Sequence, residues 1–101
     1  MTRAREGFQR LEREIVAEKA AALGRAGERL EAALLRAAAV GRALDGAVEP
    51  AARARLGGEY DAACREAEQA RLVLLIQREA VGLRQHRVVD QQFPAPPRRR
   101  P

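Results

Sequence analysis

From Phe8 to Leu44 the apolar residues return every three or four positions: Phe8, Leu11, Ile15, Ala22, Leu23, Ala26, Leu30, Ala33, Leu34, Ala37, Val40 and Leu44. That spacing lines one face of a helix and is incompatible with a strand, whose faces alternate at every second residue. It predicts a helix from Phe8 to about Asp45. Leu23, Leu30, Ala37 and Leu44 hold a heptad, while Leu11, Ala22, Ala33 and Leu44 repeat every eleven residues, as do Ile15, Ala26 and Ala37. The mixture predicts nearly straight packing with little supercoil. Gly24 and Gly27 each weaken a helix by about 1 kcal/mol relative to alanine. Set among Ala20, Ala21, Ala22 and Ala26, they are expected to leave a bare face where a second helix approaches closely.

Asp45-Gly46 ends this helix, with Gly46 suited to a left-handed residue and Arg42 placed in the last turn. Pro50 suits a first helical position, whereas Gly57-Gly58 followed by Glu59 and Asp61 suits a break and an acidic start. The expected course is a weak helical turn from Pro50, a disturbance at the two glycines, and a main helix from Glu59 to about Gly82. Leu56, Tyr60, Ala63, Ala67, Ala70, Leu74 and Val81 would line its seam. Leu83 to Gln92 suits one more short helix, closed by Phe93-Pro94 because the residue before proline disfavours helix. In 101 residues there is room for one domain and one core. Residues 1–7 are expected to be a disordered basic stretch, 8–93 the helical domain, and 94–101 a disordered, extended Pro/Arg-rich tail. The fold class is therefore all-α: a long antiparallel helical hairpin plus a short C-terminal helix.

Leu72, Val73, Leu74, Leu75 and Ile76 add a further demand. Five consecutive apolar residues at 100° each surround a helix, and one antiparallel neighbour covers only one side. The expected solution is a homodimer that closes a four-helix bundle, with Leu72, Val73, Leu75 and Ile76 at the dimer interface. The competing solution folds Val88, Val89 and Phe93 back over the girdle within one chain.

The formal charge is +5, from 19 basic and 14 acidic residues. Arg3, Arg5, Arg98, Arg99 and Arg100 account for the whole excess, so the helical body is balanced. Nucleic acid is thus a tail-borne alternative, with arginines holding phosphates, and not the leading expectation. A lone Cys64 excludes an intrachain disulfide, no Cys/His spacing fits a metal, and no apolar leader follows the charged start. The longest apolar run is far short of the ~20 residues a bilayer requires. A cytoplasmic, non-membrane protein without cofactor or metal is expected.

Enzymatic candidates are few. Serine is absent, and a Cys64–His86 pair is separated by more than 20 residues of helix, about 30 Å. Cys64 is better placed as a small buried residue and His86 as a surface or helix-end one. Di-metal bundles require Glu-x-x-His pairs, which this chain lacks. One polar constellation stands out: Glu14, Glu18 and Lys19 on the first helix and Arg78 and Glu79 on the second. A hairpin turning near residue 48 sets facing residue numbers to sum to about 97, bringing Lys19 and Glu18 opposite Arg78 and Glu79 in an interhelical polar cluster, whereas a turn near residue 52 shifts the pairing by several residues and weakens it. Lys19, Arg78 and Arg84 would be the residues of a small-anion sensor, a further alternative. Pro94, Pro97 and Arg99 also match the spacing of ligands for proline-recognising modules.

The segment Glu18-Lys19-Ala20-Ala21-Ala22-Leu23-Gly24-Arg25-Ala26-Gly27-Glu28-Arg29-Leu30-Glu31, with Gln77-Arg78-Glu79-Ala80-Val81-Gly82-Leu83-Arg84, resembles a family of short uncharacterised bacterial α-helical proteins of unknown function. The resemblance spans most of the helical region and implies a lineage without transferring an activity, ligand or site residue. Together these readings lead to a non-enzymatic structural or protein-interaction protein whose first partner is a second copy of itself.

Overall fold

A computed structural model of the chain describes residues 2–99; what the sequence suggests for Met1, Arg100 and Pro101 lies outside them. Among the described residues every regular element is helical: α1 (Arg3–Gly46), α2 (Pro50–Ala80) and α3 (Arg87–Gln92). The first two pack against each other as a long antiparallel hairpin, and the molecule measures 73 × 22 × 14 Å.

Residues 3–7, expected to be disordered, form the first turns of α1. Thr2 stands at the N-cap in extended conformation and its hydroxyl accepts from the Arg5 amide at 3.2 Å, while Glu6 complements the helix dipole. At the other end Gly46 remains helical and Ala47 leaves in extended conformation, in place of the left-handed Gly46 the sequence suggests. The reason is a side-chain cap. Arg53 Nη1 donates to the carbonyls of Leu44 at 3.2 Å and Ala47 at 2.9 Å, satisfying groups that a glycine turn would otherwise close.

α2 starts at Pro50 and runs through Gly57-Gly58 without the expected disturbance. Arg55 and Glu59 bridge the glycines on the solvent side at 3.2 Å, and buried Tyr60 and Ala63 anchor the following turn. This burial offsets two glycines worth about 1 kcal/mol each. The helix closes at Gly82, whose φ is +87°: Leu83 N–H donates to the Arg78 carbonyl at 2.9 Å and Gly82 N–H to that of Glu79 at 3.0 Å. This is a left-handed glycine closure, where a side chain would be strained.

The expected seam is the observed one for Tyr60, Ala63, Ala67, Ala70 and Leu74, which are buried, with Leu56 half-buried and Val81 exposed. Opposite stand Ala26, Leu30, Ala33, Ala37 and Leu44. The register differs from expectation. Arg36 meets Glu66 at 2.6 Å and Gly41 lies against Tyr60, pairs whose numbers sum to 102 and 101. α1 has 44 residues against 31 in α2, so α2 ends while α1 continues, and every residue from Thr2 to Ala21 is exposed.

Close helix approach occurs at Gly41, not at Gly24 or Gly27. A methyl group at either of the latter would meet nothing within 4 Å, whereas at Gly41 it would lie 2.8 Å from Arg99 Nη2 and 3.1 Å from Tyr60 Cε1. Gly24 is exposed and Gly27 half-buried, both lying to the side of the seam that Ala26 and Leu30 occupy.

The C-terminal segment takes the fold-back course. Val89 is buried with Leu30, Ala70 and Leu74, and Phe93 packs against the same cluster. Arg71 holds Asp90 through two hydrogen bonds of 2.8 and 3.2 Å. Residues 94–99, expected to be disordered, lie as an extended strap: Tyr60 Oη donates to the Pro97 carbonyl at 2.6 Å and Arg99 pairs with Asp45.

Candidate interaction surface

Four large apolar side chains stand on the uncovered part of α1: Phe8 62% exposed, Leu11 52%, Ile15 44% and Val16 66%. Phe8, Leu11 and Ile15 continue the buried stripe of the same helix, since Ile15 precedes Ala26 by eleven residues and Leu11 precedes Ala22 by eleven. The stripe therefore passes from the covered to the uncovered half of α1 without changing face. Scattered apolar side chains are ordinary on a protein surface; a continuous row on a helix that no other described element covers is a candidate contact surface.

The girdle residues divide by direction. Leu74 is buried, Val73 and Leu75 are half-buried against the cluster that Val89 and Phe93 complete, and Leu72 and Ile76 remain exposed at 50% and 54%. Leu72 and Ile76 are four apart, so they share one patch on the outer side of α2. The girdle is thus partly sheltered within one chain and partly open.

The five residues of the expected polar cluster are not brought together. Arg78 Nη2 donates to the Gln85 carbonyl at 2.6 Å and its Nε faces His86 Nδ1 at 3.4 Å, while Glu79 Oε1 lies 3.1 Å from His86 Nε2. A neutral imidazole protonated at Nε2 satisfies both contacts. Arg78 and Glu79 therefore fasten the turn that leads into α3. Glu14, Glu18 and Lys19 are exposed on α1, and among the described residues no ion pair joins them to α2. The cause is the register: with facing numbers summing to about 102, the partners of Glu18 and Lys19 would lie beyond Ala80, where α2 has ended. The same shift leaves Lys19 apart from the Arg78 donors, so the suggested anion-sensing set is not assembled.

Sequence reasoning missed the clasp between the strap and the far end of the hairpin. Arg99 lies 5.0 Å from the Tyr60 ring centroid and pairs with Asp45. Burial pushes the Tyr60 phenol up from its usual range, as does the neighbouring Cys64 thiol, against the opposing effect of Arg99. Hydrogen bonding to Tyr60 holds the Arg99 guanidinium more firmly protonated. Beside the clasp is a cavity of about 340 Å³ bounded by Leu44, Arg53, Gly57, Gly58, Asp61 and Arg99. Arg53 and Arg99 both have carbonyl or carboxylate partners there, so the site carries no free cationic pair. The available signal was Gly41, which sits in the stripe eleven residues after Leu30 where a larger residue would be expected to pack.

Cys64 is half-buried under the strap and His86 is engaged by Arg78 and Glu79, so the two are not neighbours. Among the described residues no group of three or more His, Cys, Asp or Glu is placed to hold a metal ion, and no helix is long and apolar enough to cross a membrane. No family model matches the chain, and neither a curated protein nor a solved structure shows significant similarity to it.

Proposed function

We propose that this is a non-enzymatic helical interaction protein of the cytoplasm that works as a homodimer, with the uncovered stretch of α1 as its contact surface. The observation that carries this reading is the row Phe8, Leu11 and Ile15, open to solvent on a helix with nothing packed beside it. Covering the exposed half of each side chain would contribute roughly 1 kcal/mol per residue. Six such side chains from two copies, set against the cost of association, give a weak to moderate dimer. The outer patch at Leu72 and Ile76 offers a smaller second contact, the one a side-by-side four-helix bundle would use. The single free Cys64 suits a reducing compartment.

Light scattering and sedimentation from about ten to several hundred micromolar test this. A concentration-dependent dimer is expected, abolished by Leu11→Glu and left nearly unchanged by Ile76→Glu. A monomer throughout the series overturns the reading, and the opposite response of the two variants moves the contact to the outer face of α2.

A further inference from the structure

We infer that the exposed Arg3–Val16 stretch of α1 pairs antiparallel with the same stretch of a second copy, joining two hairpins end to end into one long rod. This rests on the proposed self-association and fixes its partner geometry.

Charge is the first argument. Ala4, Phe8, Leu11 and Ile15 form the seam; Arg5 and Glu12, seven residues apart, flank it on one side, and Gly7 and Glu14 flank it on the other. In an antiparallel pair each flank faces its own copy. When Phe8 stands opposite the partner's Leu11, Ile15 stands opposite the partner's Ala4, and Arg5 meets the partner's Glu12 twice by symmetry. Glu14 then faces glycine. One heptad further, Phe8 would meet the partner's Glu18, Arg5 the partner's Lys19, and Glu12 and Glu14 their own copies. One heptad the other way, Arg5 would meet the partner's Arg5. Only the first alignment combines apolar layers with opposite charges.

Space is the second argument. Gln77 borders one surface hollow with Ile15, Lys19, Ala22 and Arg25, so α2 reaches the stripe side of α1 at the upper limit of this stretch. In the favoured alignment the partner's Arg3 reaches the level of Val16 and stops short of α2 and the turn at Val81–Leu83. The longer overlap would drive the partner's Ala4 to the level of Ala22, into Gln77. A parallel mate would run along the stripe into α2 itself, and would place Glu18 against Glu18 in the seam. The region left vacant by the shorter α2 thus admits one antiparallel helix of about four turns.

Arg5→Glu, Glu12→Arg and the double variant carrying both test the inference on the full chain, with dimer affinity read by sedimentation and length by small-angle scattering. Both substituted positions are exposed, so circular dichroism should show unchanged helix in all three variants. The wild-type dimer should extend to about 120 Å, from two 73 Å molecules overlapping by some fourteen residues. Either single reversal should weaken it at least about fivefold, and the double variant should return to within about threefold of wild type. A dimer no longer than one hairpin, or a double variant no better than the singles, overturns the end-to-end arrangement and leaves self-association standing. A chain that stays monomeric overturns both.

Discussion

The two halves of α1 belong to one uninterrupted helix and carry one stripe, yet they are built differently. From Ala22 to Leu44 the side facing α2 is mostly small, with Ala26, Ala33, Ala37 and Gly41 buried alongside only two large residues, Leu30 and Leu44. From Arg3 to Ala21 it is large and open, with Phe8, Leu11 and Ile15. Small residues allow a neighbouring helix to approach, and each contributes little apolar area on its own. Large residues on a lone helix gain nothing until something covers them. Residue size along a single face thus separates the part of α1 folded against α2 from the part left uncovered.

The sharpest way to break this comparison is to make the same change in both halves. Leu30→Ala should cost about 2–5 kcal/mol, because the side chain is buried in the centre of the cluster with Leu74 and Val89 and the surrounding alanines cannot collapse into the gap. Leu11→Ala in dilute, monomeric protein should change stability by less than about 0.5 kcal/mol. Urea unfolding of the two variants decides the matter. A comparable loss at both positions would mean that the exposed half is covered within one chain after all.

A second pair of substitutions sharpens the contrast at the covered end. Tyr60→Phe removes the hydroxyl that donates to the Pro97 carbonyl and should cost about 1 kcal/mol in urea unfolding, with the resonances of Ala95, Arg98 and Arg99 moving toward those of an unstructured peptide. Gly41→Ala pits two effects against each other. Alanine favours the helix by about 1 kcal/mol, but its methyl would crowd Arg99 Nη2 and the Tyr60 ring. The guanidinium is the movable partner, so the expected outcome is a near-cancelling change in thermal stability together with release of Arg99 from Asp45, visible in the arginine side-chain resonances. At Gly24 the same substitution meets open space and should simply stabilise.

How much of this was legible in the sequence follows from which interactions are local. The stripe, the seam from Tyr60 to Leu74 and the stop at Gly82 each depend on neighbours within one or two turns, and spacing alone exposes them. The continuity of α2 through Gly57-Gly58 depends instead on tertiary burial of Tyr60 and Ala63 outweighing propensity. Hairpin register is the quantity a single-helix pattern leaves open: with facing numbers summing to about 102 instead of 97, the partners of Glu18 and Lys19 fall past the end of α2 and the polar cluster does not form. That register seats the Tyr60 ring against Gly41, a fit between two helices that no single-helix pattern contains. The strap was illegible for a similar reason, because its anchors at Asp45, Tyr60 and Arg99 lie far apart in the chain. The large residues at Phe8, Leu11 and Ile15 were visible from the start; that they stand unaccompanied emerged only with the register.

The smallest expected effect concerns α3, which is covered like the second half of α1 but held by a single buried residue, Val89, and one exposed ion pair. The hydrogen bonds from Arg71 hold the Asp90 carboxyl below its usual value of 3.8, outweighing the slight burial that opposes them. A carboxyl whose folded pKa is depressed binds its proton less readily than in the unfolded chain. Its contribution is therefore complete above the unfolded value and fades as the pH falls through the folded one. Asp90 should thus help to dock α3 at neutral pH, with its contribution beginning to fall below about pH 4 and lost only as the pH drops through its lower folded value. Because other carboxylates titrate in the same range, the informative quantity is the difference in thermal stability between the wild type and Arg71→Gln, which should shrink toward zero on acidification. Amide exchange should quicken from Arg87 to Gln92 in the variant at neutral pH. Val89 keeps its apolar contacts at every pH, so α3 should loosen without leaving. If the two proteins instead differ equally at acid and neutral pH, Arg71 supports α3 through its aliphatic stem and the ion pair contributes nothing.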